Sequence, residues 1–501
     1  EFVSYVEKVN KKSKGDFRAI LGMDVRIQIN DTQTYLTLVA KNKQGWLDLI
    51  KILKKSKLED SVSGEPYIVP GDLHNSLENC FAIFNETNKD NATLLNIVEP
   101  QCEHFVMGDN LQGNLVLYCN QEDSYLLKIA TAARLKCTIK DKAKFEADPE
   151  SKAYLESDQF FLRNDTDPDN TTDVLLGLCE PYSLASPPNI PAFIKDGHTI
   201  DDIDGFLTEL CREGWKLRNL NKHPNKDVYI NRIKYELDVI KTYKLSNYFC
   251  IIWDISNYVR GRGFDCGLRG SAVGCLISYL IGISQVDPVC PDPVVPYDSN
   301  KELLFSRFLN KGRLAKGNVS LPDIDLDVPI GLRGSIIEYI KKKYGNDCVG
   351  HIITFLRMDG KMAVKEVFRV LDKHPKSYEI ANNICSHMIE TDKVQDELEL
   401  EKEDNPDYNI INYCIDNIPK VAEFYEEYTE EFDIAIKLSN SIKSTGKHAA
   451  GIVIASQPLE QLFPVALDKK SGEFLVALEM ANAEYVGAVK YDILGVAAYD
   501  K

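Results

Sequence analysis

The stretch Leu321-Pro-Asp-Ile-Asp-Leu-Asp-Val328 determines more about this chain than any other part of its 501 residues. Polar and apolar residues alternate strictly, as in a β-strand whose successive side chains point to opposite faces. We therefore expect Asp323, Asp325 and Asp327 on one face and the intervening apolar residues in a core. Three carboxylates so close together repel one another unless a cation neutralises them. The pattern predicts a site for a divalent cation such as Mg²⁺, with a solvated, charged edge strand as the alternative.

A glycine-rich segment, Gly267-Leu-Arg-Gly-Ser-Ala-Val-Gly274, leads into an apolar run that is predicted to be a helix from Ala272 to Ile281. Ser271 is expected to cap this helix, whose free N–H groups and positive dipole end favour an anion. Glycines such as Gly270 let a phosphate approach the backbone, and Arg269 can pair with it. A plain turn is the alternative, but the strand of aspartates further along the chain favours a phosphate site.

A second strand with charged residues is predicted near the end of the sequence, in Val489-Lys-Tyr-Asp-Ile-Leu-Gly495. Lys490 and Asp492 share one face of it, because they are two residues apart. The pattern by itself leaves open a third metal-binding carboxylate, with a lysine beside it that faces phosphate. An ordinary edge strand with a salt bridge is the alternative.

Other polar residues are weaker candidates. Arg307 lies in a short aromatic segment, and Lys361, Lys365 and Arg369 are spaced at i, i+4 and i+8, so they form one stripe on a predicted helix. Such a stripe either contacts a triphosphate or DNA backbone or is a solvated face. His448, in the sequence Gly-Lys-His-Ala-Ala-Gly, is either a substrate contact or a structural hydrogen-bonding group.

The composition excludes several classes of protein. Hydrophobic residues make up 44% and charged residues 27% of the chain, as in ordinary globular proteins. The 13 cysteines are an odd number and form no Cys-x-x-Cys pair, which argues against a disulfide framework and against a zinc ribbon. A reducing compartment such as the cytoplasm fits this pattern. The longest apolar run, Cys275–Ile283, is too short to span a bilayer.

The charge is unevenly distributed along the chain. A net charge of −17 is unfavourable for binding a polyanion. Residues 391–433, however, hold 15 acidic and 3 basic residues, whereas residues 307–370 hold 12 basic and 7 acidic ones. Because local potential decides where a phosphate backbone can lie, a basic region beside an acidic lobe is compatible with nucleic-acid binding.

The length indicates about three domains. Residues 1 to about 180 have an α/β pattern, with a helix predicted at Gly45–Leu53 and strands at Tyr35–Ala40, Phe81–Phe84 and Asn114–Tyr118. A segment rich in Asn, Asp and Pro at about 163–200 is typical of a boundary. Helices are predicted from about 200 to 260, with Asp201 or Asp202 as the first N-cap, and again in an acidic lobe at 375–440.

Five motifs occur in a characteristic order: Gly-x-Arg-Gly-Ser-Ala-x-Gly, Leu-Leu-Phe-x-Arg-Phe-Leu-Asn, Pro-Asp-Ile-Asp-Leu-Asp, Lys-His-Ala-x-Gly and Val-Lys-Tyr-Asp-Ile-Leu-Gly. From about Asp201 to Gly495 the chain resembles the bacterial replicative DNA polymerases of the C family, the alpha subunits of DNA polymerase III. Residues 21–28 and 35–54 resemble part of the polymerase-and-histidinol-phosphatase (PHP) domain of that family.

The resemblance implies an α/β multidomain protein with a partial PHP-like domain, a polymerase-beta-like nucleotidyltransferase palm with a mixed sheet, and a helical thumb insert. The implied boundaries are 1–185 for the PHP-like domain, incomplete at its N-terminus, 186–374 for the first part of the palm, 375–442 for the thumb and 443–501 for the second part of the palm. The sequence stops just after the third aspartate of the family pattern, so the fingers are expected to be absent from it.

The resemblance also implies a set of site residues. In this family three aspartates hold two Mg²⁺ ions, and by motif these are Asp323, Asp325 and Asp492, with Asp325 bridging both ions and Asp327 supporting the strand. The implied nucleotide-binding residues are Arg269, Gly270, Ser271, Arg307 and Lys490. The implied weaker contacts with DNA or phosphate are Lys361, Lys365, Arg369 and His448.

The implied activity is template-directed DNA synthesis, in which the enzyme adds dNTPs to a primer 3′-hydroxyl by two-metal nucleotidyl transfer. The implied partners are primer–template DNA, dNTPs and replisome components such as a sliding clamp, with no membrane association. The implied location is the cytoplasm of a bacterium or of a phage-infected bacterium.

The sequence departs from the family pattern in two places. Phe355-Leu-Arg-Met-Asp-Gly-Lys361 stands where the family has Phe-Gly-Thr-Met-Ala-Ala-Lys, and the opening His-x-His motif of the PHP domain is absent, so phosphoesterase or proofreading activity is not expected. Three other interpretations stay open: a catalytically degenerate scaffold, the N-terminal part of a split polymerase, and a nucleotidyltransferase that uses no template.

Overall fold

The computed structural model describes residues 6–7, 9–10, 19–56, 66–85, 88–89, 91–106, 124–141, 143–144, 174, 177–292, 297–309, 321–389, 391, 394, 397–399, 401, 405, 408–468 and 471–500. The chain forms two compact units. The first contains residues 1–109, 172–354 and 447–501, and the second contains residues 110–171 and 355–446.

A four-stranded sheet opens the first unit, in the order β1-β2-β3-β4. The strands are β1 (Gly22–Ile29), β2 (Thr32–Ala40), β3 (Cys80–Phe84) and β4 (His104–Val106). Antiparallel pairs join β1 to β2 and β2 to β3, and β3 and β4 are parallel. The predicted strands at Tyr35–Ala40 and Phe81–Phe84 are confirmed, whereas Asn114–Tyr118 lies outside the described residues.

A mixed seven-stranded sheet carries the aspartate motifs, in the order β11-β12-β9-β10-β13-β8-β7. Parallel pairing joins β13 to β8, and antiparallel pairing joins β13 to β10 and β8 to β7. The strands are β7 (Gly267–Arg269), β8 (Asp325–Pro329), β9 (Val349–Met358), β10 (Ser441–Ile454), β11 (Val465–Leu467), β12 (Phe474–Val476) and β13 (Lys490–Val496). A separate small hairpin consists of β5 (Ile194–Lys195) and β6 (His198–Thr199).

Amphipathic helices cover these sheets. In the helix Ile203–Leu217 the buried residues recur at helical spacing, at Leu207, Leu210, Cys211 and Gly214, and Asp202 caps its first turn as predicted. The other helices of this unit are Lys43–Lys54, Ala92–Val98, Lys226–Thr242, Ser246–Gly261, Leu276–Leu280, Phe305–Phe308, Ile330–Tyr344 and Met480–Tyr485. Short 3₁₀ helices are Pro70–Leu73, Leu220–Lys222, Gly270–Gly274, Ser299–Lys301, Leu459–Gln461 and Ala497–Asp500.

The second unit is largely helical, as the sequence predicts for the acidic lobe. Its helices are Ser124–Arg134, Gly360–Leu371, Ser377–His387, Ile410–Asn417, Pro419–Glu427 and Thr429–Leu438. They share one apolar core, which includes Phe368, Ile411 and Phe432. The helix Ser124–Arg134 packs into this core through Ile129, although the boundaries predicted from the sequence assign it to residues 1–185. The sequence did not predict this packing, because an amphipathic pattern does not specify which core the apolar face joins.

The twelve cysteines in the described ranges are all free. Within the same ranges, no helix combines the length and the apolar character that crossing a membrane requires.

His351, on β9, is a buried histidine in an unusual environment. It is 1% exposed, and neither ring nitrogen has a hydrogen-bond partner in the part of the chain that the structure describes. Nε2 lies 3.5 Å from Oε2 of Glu473, a carboxylate that also binds Lys341 and Lys447. Burial and the charge of Lys447 outweigh the attraction of Glu473 and lower the pKa of His351 to about 4. The imidazole is therefore neutral in the folded protein at pH 7.

We expect His351 to weaken the fold as the pH falls. Its folded pKa of about 4 lies below the ordinary value of 6.5, so the unfolded chain takes up the proton first. Stability is full above about pH 6.5 and falls by roughly 3 kcal/mol as the pH approaches 4. Urea unfolding of wild type and His351→Leu at pH 7 and pH 4.5 measures this. Equal pH dependence in the two proteins would contradict the assignment.

Candidate active site

Asp325 and Asp492 face each other on neighbouring strands. The first residue of β8 is Asp325, and the parallel register of β8 and β13 pairs it directly with Asp492. The apolar residues of the aspartate motif are buried, which confirms the alternation predicted from the sequence. Asp323 is exposed and precedes the strand, since regular pairing begins at Asp325. Two aspartates from distant parts of the chain thus meet at one end of β8 and β13.

Lys490 forms ion pairs with two of the acidic side chains. Its Nζ lies 2.8 Å from Oδ2 of Asp492 and 3.7 Å from Oδ1 of Asp323. Burial lowers the pKa of Lys490, but the two carboxylates more than compensate, so the pKa lies above its ordinary value. The ammonium therefore neutralises part of the charge that the aspartates gather here.

Asp492 is the most buried of these acids. It is 8% exposed, and its Oδ1 is buried without a hydrogen-bond partner among the described residues. Burial raises the pKa of Asp492, Lys490 opposes the shift, and the charges of Asp325 and Asp323 add to it. An unpaired carboxylate oxygen in such a place is unfavourable unless a cation binds it.

The donor chemistry suits a hard divalent cation. Carboxylate oxygens are the protein ligands that Mg²⁺ prefers, and Asp323, Asp325 and Asp492 supply them. Across the described ranges, however, no three His, Cys, Asp or Glu side chains are gathered closely enough to hold a metal ion. Lys490 instead occupies oxygens of two of the three aspartates, so a cation would have to displace its ammonium.

Glu484 is a fourth acid at this site that sequence reasoning missed. It lies in the helix Met480–Tyr485, just before β13. Burial raises its pKa, the charge of Asp323 raises it further, and Lys490 opposes the shift. A single glutamate in a short helix has no distinctive sequence pattern, so the structure was needed to find it.

A buried tyrosine and a half-buried arginine position the aspartates. The Tyr248 hydroxyl donates to the carbonyl oxygen of Pro322 at 3.1 Å and so fixes the segment that carries Asp323. Nε of Arg333 donates to the carbonyl oxygen of Ile493 at 2.8 Å and so holds β13 against the helix Ile330–Tyr344. Both contacts join residues that are far apart in the chain, and no local pattern indicates them.

The glycine-rich turn differs from the predicted helix start. Residues Gly270–Gly274 form a 3₁₀ helix, Cys275 is extended, and the α-helix begins only at Leu276. The prediction that Ser271 caps an α-helix is therefore wrong: Ser271 is an exposed residue of the 3₁₀ turn, and Arg269 stands at the N-cap position without a side-chain capping bond. The extended Cys275 interrupts the helical run that the apolar sequence indicates.

The turn nevertheless lies beside the aspartates. Pairing of β7 with β8 sets Arg269 opposite Asp325. Arg269 Nη2 lies 2.8 Å from Oδ1 of Asp327, so this third aspartate of the motif binds the arginine. Gly270 has a φ of +73°, and a Cβ built on it would lie 3.4 Å from Oδ2 of Asp325. The Asp325 carboxylate and the glycine turn are thus adjacent.

A buried network of charged side chains contacts the end of the turn Gly270–Gly274. Arg232 Nη2 donates to the carbonyl oxygens of Gly274 at 2.6 Å and Leu303 at 2.5 Å. The same guanidinium pairs with Glu236 at 2.9 Å and Glu302 at 3.0 Å. Burial raises the pKa of Glu236, although Arg232 opposes the shift. Sequence reasoning missed this network, since its members are spread over three separate segments.

We expect Gly270→Ala to lower stability and to impair the site. An L-residue in this left-handed conformation costs roughly 1–2 kcal/mol. The new methyl group would also touch the Asp325 carboxylate. The matched control is Gly261→Ala, at the last residue of the helix Ser246–Gly261. The added methyl group would contact no other atom there, so this substitution should be neutral or slightly stabilising. Urea unfolding compares the two, and equal stabilities would contradict the strained conformation.

Arg307 and His448 belong to elements that contact the glycine-rich turn and the strand of Asp492, respectively. The helix Phe305–Phe308, which carries the exposed Arg307, packs against the 3₁₀ turn. His448 Nδ1 accepts hydrogen bonds from the backbone N–H of Gly451 at 2.7 Å and of Ala450 at 3.3 Å. Gly451 is the register partner of Asp492, so His448 stabilises the strand next to that aspartate.

Lys361, Lys365 and Arg369 lie in the second unit, on the helix Gly360–Leu371. Arg369 is engaged there: Nη2 donates to Glu366 at 2.6 Å, and Nη1 donates to the carbonyl oxygen of Cys137 at 3.1 Å. Its contacts within this unit therefore give it a structural role.

The departure from the family pattern at this helix has a physical reason. Asp359 is the N-cap residue, and its Oδ1 accepts hydrogen bonds from the Gly360 N–H at 2.9 Å and from the Ser439 hydroxyl at 2.5 Å. Gly360 has a φ of +45°, a conformation that glycine adopts without strain.

Comparison with known proteins identifies the relatives of this chain. A family model described as the bacterial DNA polymerase III alpha NTPase domain matches residues 205–495. The DNA polymerase III subunit alpha of Ureaplasma parvum is 33% identical over 316 residues, which cover 62% of this chain and 28% of that protein. For the Bacillus subtilis subunit the identity is 34% over 310 residues, or 61% of this chain and 24% of that protein. The Streptococcus pyogenes subunit is 27% identical over 495 residues, or 96% of this chain and 43% of that protein. The chain thus spans less than half the length of these relatives.

Proposed function

The chain belongs to the bacterial DNA polymerase III alpha family, and on this premise we propose that it carries the nucleotidyl-transfer site of a template-directed DNA polymerase. The observation that carries the proposal is the pairing of Asp325 with Asp492 on adjacent parallel strands, with the Arg269–Gly270 turn beside them. This geometry supports the proposal, because acidic groups suited to a cation lie next to a basic, glycine-containing turn that would receive a triphosphate.

Two Mg²⁺ ions are part of the proposal, held by Asp323, Asp325 and Asp492. When bound, such ions lower the pKa of a primer 3′-hydroxyl and neutralise the charge that develops on the triphosphate. The residues of the chain position these groups. Backbone N–H groups at Gly270 and Ser271 would bind phosphate oxygens, and three basic side chains would pair with the remaining charge, namely those of Arg269, Arg307 and Lys490.

The domain assignment follows from the same premise. We assign residues 1–185 to a PHP-like domain, 186–374 and 443–501 to the palm, and 375–442 to the thumb. The helix Ser124–Arg134, within the first range, packs into the helical core of the second unit. Primer–template DNA and dNTPs are the proposed ligands, and a sliding clamp is a proposed partner of the whole polymerase. Lys361 and Lys365 are proposed as weaker phosphate contacts. The free cysteines and the bacterial relatives support a cytoplasmic location.

Template-directed primer extension tests the proposal. The assay uses this chain with Mg²⁺, a labelled primer and each of the four template bases in turn, first alone and then mixed with the remaining segment of a relative. Extension that follows the template base supports a polymerase. Addition without regard to the template would favour a nucleotidyltransferase that uses none. No extension in either arm, together with no cation binding, would favour a catalytically degenerate scaffold.

A further inference from the structure

Lys490 lies among acidic side chains, two of which contact it. Its ammonium contacts Asp492 at 2.8 Å and Asp323 at 3.7 Å, and Glu484 is a third charge that acts on it. The Lys490 side chain is 14% exposed. A cation so well shielded from water needs a carboxylate partner, because leaving it unpaired costs several kcal/mol.

The partners of Lys490 are the same oxygens that a divalent cation would use. Asp492 is more than nine-tenths buried, one of its oxygens is bound by Lys490, and the other has no hydrogen-bond partner among the described residues. A divalent cation that binds Asp492 and Asp323 would meet the ammonium at short range. Two positive charges cannot share these oxygens without strong repulsion, so the ammonium must move.

Glu484 is suited to receive the displaced ammonium. Within the described ranges its carboxylate forms no hydrogen bond or ion pair, and it is partly buried. It lies at the end of the helix Met480–Tyr485, only a few residues before Lys490 in the chain. A flexible lysine side chain can exchange between nearby carboxylates by changing rotamers.

We propose that Glu484 is a positioning residue: it takes the Lys490 ammonium when a divalent cation binds Asp492 and Asp323. Lys490 then acts as an internal counter-ion that occupies the site in the absence of the cation. Glu484 holds it beside the site once the cation has bound and before a triphosphate pairs with it. This inference rests on the proposed function, because it assumes that the aspartates bind Mg²⁺.

Calorimetric titration with MgCl₂ tests the inference on the full chain, without an activity assay. Lys490→Met removes the competing ammonium and should raise Mg²⁺ affinity by about tenfold. Glu484→Gln removes the carboxylate that would pair with the displaced ammonium and should lower the Mg²⁺ affinity several-fold. In the double variant Glu484→Gln should have no further effect, so its affinity should equal that of Lys490→Met. Lys226→Met, an exposed lysine outside the site, controls for the change in net charge.

The outcomes separate the two proposals. If Glu484→Gln lowers the affinity equally with and without Lys490, Glu484 acts on the cation directly and the exchange is wrong. If wild type binds Mg²⁺, Asp325→Asn does not, and Lys490→Met changes nothing, the metal site stands and the inference fails. If neither wild type nor Lys490→Met binds Mg²⁺, the proposed function itself fails. If Lys490→Met folds poorly, Lys490→Gln replaces it in the single and the double variant. An unchanged Mg²⁺ affinity in Glu484→Gln, which keeps size and shape, would overturn the inference by itself.

Discussion

Asp325→Asn is expected to reduce the rate of Mg²⁺-dependent primer extension by about a hundredfold to a thousandfold. A loss of this size is typical when one essential charge-stabilising group is removed. Asp325 is the register partner of Asp492 and lies beside Gly270, so it lies between the two parts of the proposed site. The substitution preserves side-chain shape but removes the negative charge. Extension rates and Mg²⁺ affinity are measured on the same preparations.

The fold should survive this change. Asp325 is partly exposed and lies at the start of its strand, and the buried residues of the motif are untouched. Asp201→Asn, at an exposed position before the helix Ile203–Leu217, is the matched control and should extend primers as wild type does. Normal extension by Asp325→Asn at ordinary Mg²⁺ concentration would exclude it as a metal ligand.

Arg232→Met is expected to destabilise the protein by about 3–5 kcal/mol, because it leaves buried carboxylates without a counter-charge. Glu236 is fully buried, and Glu302 is largely so. The two carbonyl oxygens that Arg232 binds would also lose their donor, one of them at Gly274 in the turn beside the aspartates. We therefore expect a lower free energy of unfolding together with weaker dNTP binding.

A second substitution and a control make this prediction specific. Adding Glu236→Gln to Arg232→Met removes one uncompensated charge, so the double variant should be more stable than Arg232→Met alone. Arg212→Met breaks an exposed helical pair with Glu209 and should cost no more than about 1 kcal/mol. Urea unfolding measures all three variants. Similar losses for Arg232→Met and Arg212→Met would show that the buried network contributes little.

Local patterns predicted much of the fold correctly. The alternation around Asp325 indicated a strand with an acidic face, and the apolar spacing after Asp202 indicated a capped helix, as the structure confirms. The strand pattern depends on residues two positions apart, and the helix pattern depends on residues within one or two turns. The helix expected to start at Ser271 failed for a different reason: contacts with distant segments hold Gly270–Gly274 as a 3₁₀ turn, and tertiary contacts override local propensity.

The sequence by itself thus indicated several strands and helices and the acidic and basic residues that the site draws on, because periodicity, capping and side-chain chemistry are local properties. The tertiary structure alone decided which of these residues meet. Strand register brought Asp492 opposite Asp325, and long-range contacts placed Lys490 against Asp323 and Arg232 beneath Gly274. Such pairings depend on how sheets and helices pack over long separations in the chain, where no short-range pattern records the partner.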